Sequence, residues 1–276
     1  MNPADSNDKI TYSEPVAQLL TLGVASQAGD WSHYQTLGIN REHVPELLRL
    51  VSDPALNTAD QESDAIWAPL HAWRLLGLLG DAEAVGPLLT LFDEYPHDDW
   101  LHEELPLVFG LLGPEILSSL AAYMIDDSHD VYSLVAVAQG IKNIAVRHPG
   151  ARRDCVAVLV ERLDYFLLND ATVNAFLIDF LCDLEAEEAM PAIERAYAAD
   201  AVDLSIIGDV EDARGYMGLA GPDWQPGSRY PVTSFKKASA AAKASRTSQT
   251  NRVSLKKKKA RTKRKKAKLS KKKNRK

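Results

Sequence analysis

Between Ile66 and Leu219, apolar side chains return at steps of three and four residues, and glycine and proline interrupt the runs every few turns. This pattern constrains the fold more than any other feature. A 3.6-residue period lines one face of an α-helix, whereas a strand needs a period of two. Val131, Leu134, Val135, Ala138, Ile141 and Ala145 make one such stripe. Cys155, Leu159, Leu163 and Phe166 make a second. Phe176, Leu177, Phe180, Leu181 and Leu184 form a third, and Ala189, Ile193, Ala196 and Tyr197 a fourth. Ala and Leu dominate, and period-two alternation of Val, Thr and aromatic residues is almost absent, so the chain reads as all-α.

The joints between stripes are also legible. In LLGDAEAVGPLL, Gly80 suits the left-handed position that ends a helix and Asp81 the N-cap of the next. In LLGPEILSSL, Gly113 ends a helix and Pro114 opens another, where its missing N–H costs nothing. His148-Pro149-Gly150 makes the following break. Turns this short predict antiparallel helix pairs. The joints at Leu79-Gly80 and Leu112-Gly113 lie 33 residues apart; Ile144-Ala145 follows after 32 and Leu184-Glu185 after 40. One helical hairpin per roughly 30–45 residues is the signature of an α-solenoid, in which each hairpin buries its apolar face against its neighbours. The expected layout is therefore an N-terminal helical cap over 1–60, with a helix at Arg41–Asp53, and helical repeats over 61–219. A turn-rich strap over 220–235 follows, with Trp224, Tyr230 and Phe235 available to tack it onto the last helix.

ESDAIWAPLHAWRLLGLLGDAEAVGPLLTLFDE resembles a HEAT-like repeat of the kind found in phycobilisome-lyase-type helical arrays. From about Ile66 to Leu219 the chain also resembles an uncharacterised bacterial family with a HEAT-like α-helical core. The lines that carry this are APLHAWRLLGLLG, DDWLHEELPLVFGLLGPEILSSLAAYMIDDSHDVY and AADAVDLSIIGDVEDARGYMGL. The resemblance implies a HEAT-like α-solenoid. Relatives in that family sometimes end in a cysteine-rich metal module. No cysteine follows Cys182 in this chain, so a function tied to that module does not transfer.

The formal charge of −6 hides a division of the chain. Residues 236–276 hold 20 Lys or Arg and no Asp or Glu, which leaves 12 Lys or Arg against all 38 Asp or Glu in residues 1–235, a charge of −26. The basic stretch has no aromatic residue, and Val253, Leu255 and Leu269 are its large apolar ones. It cannot bury enough surface to offset the entropy of ordering, so it is predicted to be a disordered tail. Lys256, Lys257, Lys258, Lys259, Arg261, Lys263, Arg264, Lys265, Lys266, Lys268, Lys271, Lys272, Lys273, Arg275 and Lys276 form the candidate polyanion-binding site. Such charges bind DNA or RNA by releasing condensed counterions, and without base-reading or stacking residues they carry no sequence specificity. Anionic lipid is a weaker target, because no amphipathic helix or lipidation site accompanies the charges. The alternative is an intramolecular tail, held by the acidic body as a solubilising or autoinhibitory element.

Candidate chemistry is sparse. Tyr95–Pro106 packs His97, Asp98, Asp99, His102, Glu103 and Glu104 together, and His97, Asp99, His102 and Glu103 are the candidate metal ligands. The His-Glu-x-x-His spacing of a zinc protease is missing, since Leu105 and Pro106 follow Glu103-Glu104. The plainer account makes Asp98 or Asp99 a helix cap, with Trp100 and Leu101 facing the core. A second acidic cluster, Asp200, Asp203, Asp209, Glu211 and Asp212, lacks the calcium-loop arrangement and is explained by Asp209 as an N-cap. His33, His43, His71, His129 and His148 are scattered and read as ordinary surface or packed residues. Cys155 and Cys182 stand 27 residues apart on apolar stripes, so they read as buried free thiols. No nucleophile elbow, phosphate-binding loop or dinucleotide fingerprint is present.

The sequence therefore predicts a non-enzymatic adaptor without a cofactor, binding an unidentified protein through its helical surface and nucleic acid through its tail. A metal-dependent enzyme centred on His97–Glu104 is the third reading. The N-terminus lacks the basic and apolar regions of a signal peptide, and no run approaches the ~18 apolar residues of a membrane span. The expected location is cytoplasmic, with nucleoid or ribosome association through the tail.

Overall fold

The computed structural model describes residues 11–25, 31–60 and 63–225. Twelve α-helices occur among them: α1 (Val44–Val51), α2 (Pro54–Asn57), α3 (Ala68–Leu79), α4 (Val85–Glu94), α5 (Asp99–Leu112) and α6 (Leu117–Ile125) make up the first half. The second half holds α7 (Val131–Arg147), α8 (Arg152–Leu163), α9 (Ala171–Asp183), α10 (Met190–Ala198), α11 (Leu204–Ile207) and α12 (Val210–Tyr216). No strand occurs among the described residues, so the fold is all-α as the periodicity requires.

The helices begin where carboxylates can accept their first amides. Asp98, Asp130 and Asp170 each take the amide two residues on, from Trp100, Tyr132 and Thr172, at 2.8–2.9 Å. These caps open α5, α7 and α9 and satisfy donors that have no partner within the helix. They end on residues that can leave the helical region: Gly80 closes α3 in the left-handed conformation (φ 64°, ψ 41°). Asp81 then caps the next turn through the Glu83 amide at 3.0 Å. One order of elements recurs four times: long helix, short joint, three-residue 3₁₀ turn, second helix. The turns are Ala82–Ala84, Pro114–Ile116, Pro149–Ala151 and Glu187–Ala189, which lead into α4, α6, α8 and α10.

α3, α5, α7 and α9 pack in succession, with α1 against α3 and the longest helix contact between α5 and α7. α6 lies against α7 and α8, α10 against α8 and α12, and α11 and α12 cover α9. Each sequence stripe faces this interior: Leu134, Val135, Ala138, Ile141 and Ala145 are buried, as are Cys155, Leu159, Leu163, Phe176, Leu177, Phe180, Leu181, Leu184, Ile193 and Ala196. Two helices go further than a stripe. Every residue from Ala68 to Gly77 in α3 and from Val173 to Cys182 in α9 is buried, because neighbours cover those helices on all sides.

One joint departs from the expected reversal. Asp99–Leu112 and Pro114–Ile125 meet at a bend of 107°, short of antiparallel, with Gly113 at φ 85° and ψ −166° between them. A single glycine in a positive-φ conformation that other residues rarely adopt, followed by a 3₁₀ turn, redirects the chain here.

At the N-terminal end the helix expected over Arg41–Asp53 is a 3₁₀ turn, Arg41–His43, running into α1. Asn40 caps it by accepting the Glu42 amide at 2.9 Å, while His43 Nδ1 accepts the Asn40 amide at 3.1 Å. At the other end the Trp224 ring stands edge-on to Tyr216 of α12, 5.3 Å between centroids, so this part of the strap touches the last helix. Tyr230, Phe235 and the whole basic stretch 236–276 lie outside the described residues.

Candidate functional site

α3 carries a charged residue in the middle of an apolar run, APLHAWRLLGLL, and the fold supplies its partners. Arg74 is 1% exposed. Its Nε donates to Glu104 Oε2 of α5 at 2.6 Å, and its Nη2 donates to Glu104 Oε1, a two-pronged ion pair. Its Nη1 reaches Tyr34 Oη at 3.4 Å, and the guanidinium lies over the Trp31 ring, 5.2 Å from the centroid. Planar guanidinium geometry suits this fork, and the aromatic face adds a favourable contact for the cation.

The chain of hydrogen bonds continues to His71, one helical turn before Arg74. His71 Nε2 lies 2.9 Å from the Gly23 carbonyl, which can only accept, so this nitrogen carries the proton. Nδ1 is then the acceptor for the Tyr34 hydroxyl at 2.6 Å. Tyr34 in turn accepts from Arg74. The result is a directional relay, Arg74 to Tyr34 to His71 to Gly23, that fastens Tyr34 of the 3₁₀ turn Ser32–Leu37 and Gly23, just after the 3₁₀ turn Val16–Thr21, to α3 and α5. Burial, joined by the Arg74 charge and opposed by the Gly23 hydrogen bond, holds the His71 pKa below the usual histidine value.

Sequence did not single out His71, Tyr34 or Trp31; the available signal was Arg74 itself, a cation inside an apolar helix that must find a carboxylate. A pH effect follows. The unfolded chain takes up a proton at His71 near the ordinary histidine pKa of ~6.5, and the folded chain only at lower pH. Stability is therefore fully present above that value and falls as pH drops below it. Thermal unfolding followed from pH 8 to pH 5 should show a drop that is smaller in His71→Gln.

The acidic segment Tyr95–Pro106 is divided by its helix. Asp98 caps α5, and Leu101 is buried while Trp100 is half-buried and meets Trp67 edge-on at 5.4 Å. Of the candidate metal ligands, His97 and Asp99 are exposed and Glu103 is half-buried. His102 Nδ1 donates to the Asp98 carbonyl at 2.9 Å and Nε2 lies 3.4 Å from Ser133 Oγ, so both ring nitrogens are engaged. Glu104 belongs to Arg74. Among the described residues, no group of three or more His, Cys, Asp or Glu has a metal-holding arrangement.

A second polar cluster that sequence missed joins α4 to the α6–α7 turn. Asp93 accepts from Tyr123 Oη at 3.1 Å and from His129 Nδ1 at 2.8 Å. The His129 ring lies flat on Tyr123, 3.6 Å between centroids. In the C-terminal acidic cluster, Asp203 caps α11 and Asp209 caps α12, the latter accepting the Glu211 and Asp212 amides at 2.9 and 3.0 Å. Cys155 and Cys182 are both buried thiols, Cys182 Sγ donating to the Ala213 carbonyl at 3.7 Å, and burial pushes the Cys155 pKa up to about 11. A thiol so disposed stays protonated at neutral pH and is a poor nucleophile.

The surface is dominated by carboxylates. The described residues hold 10 Lys or Arg against 34 Asp or Glu. Seven of the ten cations already serve ion pairs: Arg49, Arg74, Lys142, Arg152, Arg162, Arg195 and Arg214. Between α6 and α8 lies a groove of about 150 Å³, lined by Ala121, Met124, Ile125, Asp127, Val158, Glu161, Arg162, Tyr165 and Leu168. The fifteen Lys and Arg of the candidate polyanion site, from Lys256 to Lys276, lie outside the described residues. No single helix among the described residues is long and apolar enough to cross a membrane. Compared with family models, with curated proteins and with solved structures, the chain matches none.

Proposed function

We propose that this chain is a non-catalytic adaptor, a HEAT-like α-solenoid whose helical surface binds a protein partner while a cationic C-terminal tail holds it on nucleic acid. The observation that carries the reading is the division of charge. A body with 34 carboxylates against 10 cations, most of them already paired, repels a phosphate backbone, so contact with DNA or RNA falls to the 20 Lys and Arg of residues 236–276. The fourfold order of long helix, 3₁₀ turn and second helix, with α3, α5, α7 and α9 packed in succession, supports the repeat reading. Buried thiols and the commitment of Glu104 to Arg74 favour a structural use of these groups over catalysis. The protein then works in the cytoplasm, at the nucleoid or the ribosome.

A salt series tests this. The full chain should bind short DNA and RNA of unrelated sequence alike. For duplex DNA, log affinity should fall against log salt with a slope near −0.9 for each phosphate neutralised, between roughly 50 and 200 mM salt. A full-length variant with the fifteen residues from Lys256 to Lys276 changed to Gln should lose that binding. Affinity that ignores salt, or that survives in the variant, would overturn the tail's role. Stoichiometric zinc that resists dialysis and is lost on His97→Ala or His102→Ala would instead favour the enzyme reading.

A further inference from the structure

Two of the four most exposed large apolar side chains of the described residues line one groove: Leu168 (71%) and Ile125 (65%). The groove lies between α6 and α8, and the half-exposed Tyr165 lines it as well. Side chains this apolar, contiguous and open to water mark an interaction surface. Their setting is acidic. Asp127 lines the groove but is held by Arg162 at 2.7 Å, and Asp164 nearby is held by Arg195 at 2.5 Å. Glu161, which lines the groove, has no ion pair among the described residues, and Asp126, between the lining residues Ile125 and Asp127 in sequence, has His129 Nε2 at 3.9 Å as its ion-pair contact. Hydrogen bonds from Ser128 hold the Asp126 pKa below the usual carboxylate value. Arg162, the cation among the lining residues, is buried and already committed to that pair with Asp127.

We infer that the α6–α8 groove is the seat of a cationic peptide segment of the protein partner, one with an isolated leucine-sized side chain flanked by Lys or Arg. The apolar side chain fills the floor formed by Ala121, Met124, Ile125, Val158 and Leu168, and the flanking cations face Glu161 and Asp126. An acidic or wholly apolar segment is disfavoured, the first by the charge of the body and the second because it leaves the rim unpaired. The inference rests on the adaptor reading and specifies the partner of that reading.

The test titrates the full-length chain with three synthetic peptides, Lys-rich with one central Leu, the same with Ser for Leu, and Glu-rich with Leu. The first should bind in a salt-dependent way, and the other two at least about tenfold more weakly. Ile125→Ser with Leu168→Ser, and separately Glu161→Lys, should each weaken the first peptide about tenfold. All three positions are exposed, so unchanged thermal unfolding certifies the fold of both variants. Equal binding of the three peptides, or binding unaffected by both variants, overturns the proposal. So does a more than tenfold gain in peptide affinity when the tail charges are replaced by Gln, which would assign the groove to the tail. Self-association lost in the groove variants, without peptide binding, would assign it to a second copy and likewise overturn the proposal. Because nucleic-acid binding is measured separately, loss of peptide binding alone leaves the tail's role standing.

Discussion

Glu104→Gln is expected to destabilise the chain by about 3–5 kcal/mol, the usual cost of leaving a buried charge without its partner. The substitution keeps shape and removes the negative charge, so Arg74 stays 1% exposed and loses the two-pronged carboxylate of Glu104. The loss should spread beyond the pair, because Arg74 also orients Tyr34 and, through it, His71 and the Gly23 carbonyl. Urea unfolding of the two chains measures the difference. The double variant Arg74→Met with Glu104→Leu separates charge from packing, since replacing both partners by apolar groups of similar volume is often neutral. If Glu104→Gln is as costly as expected and the double variant recovers most of the loss, the pair specifies the attachment of Tyr34 and Gly23 more than it stabilises it. A cost under about 1 kcal/mol for Glu104→Gln would show that Arg74 finds water and that the site is wetter than its burial indicates.

The second large effect lies at the α5–α7 contact. Phe109→Ala is expected to cost about 3–5 kcal/mol, because the ring is fully buried and faces Phe92 at 6.4 Å on one side and the backbone of Gly140 on the other. A Cβ at Gly140 would stand 2.7 Å from Phe109 Cδ2 and 3.1 Å from Phe109 Cβ. Gly140→Ala should therefore lower stability in the native chain by about 1–3 kcal/mol through overpacking, despite alanine's better helix propensity. In the Phe109→Ala background the ring atoms are gone, and the 3.1 Å approach to the Cβ kept at position 109 can relax into the space the ring leaves. The same Gly140→Ala change should then raise stability, both by propensity, worth about 1 kcal/mol, and by partly filling the cavity. A reversal of sign between the two backgrounds, read from urea midpoints, is the expected result; equal effects in both would mean that α5 and α7 move apart at little cost.

The caps and stripes were legible because they are local. Asp81, Asp98 and Asp209 each accept an amide two residues on, and a three- or four-residue apolar step needs nothing beyond its own helix. The polar contacts were not, because their partners are distant: 30 residues separate Arg74 from Glu104, 37 separate Tyr34 from His71, and 36 separate Asp93 from His129. Asn174 shows the difference within one helix. It stands three and seven residues before Leu177 and Leu181, at the edge of the α9 stripe, and no local pattern names its partners. The fold buries it completely, where its Nδ2 donates to the Phe166 carbonyl at 2.9 Å and to the Ala201 carbonyl at 2.7 Å, tying two loops together. The candidate metal segment divided in the same way. Its cap, Asp98, was readable, while the commitment of Glu104 to Arg74 depended on α3 lying beside α5.

The sequence by itself determined that the described chain is helical, where most helices start and stop, and that its charge is split between an acidic body and a basic C-terminal stretch. These follow from backbone periodicity, capping chemistry and composition, which act over a few residues or require no geometry. Only the tertiary structure decided which helices are covered all round, which buried cation meets which carboxylate, and that Ile125, Tyr165 and Leu168 share one groove. Those depend on how far helices from distant parts of the chain approach and rotate, and packing sets that through contacts such as Phe109 on Gly140, which no local pattern records.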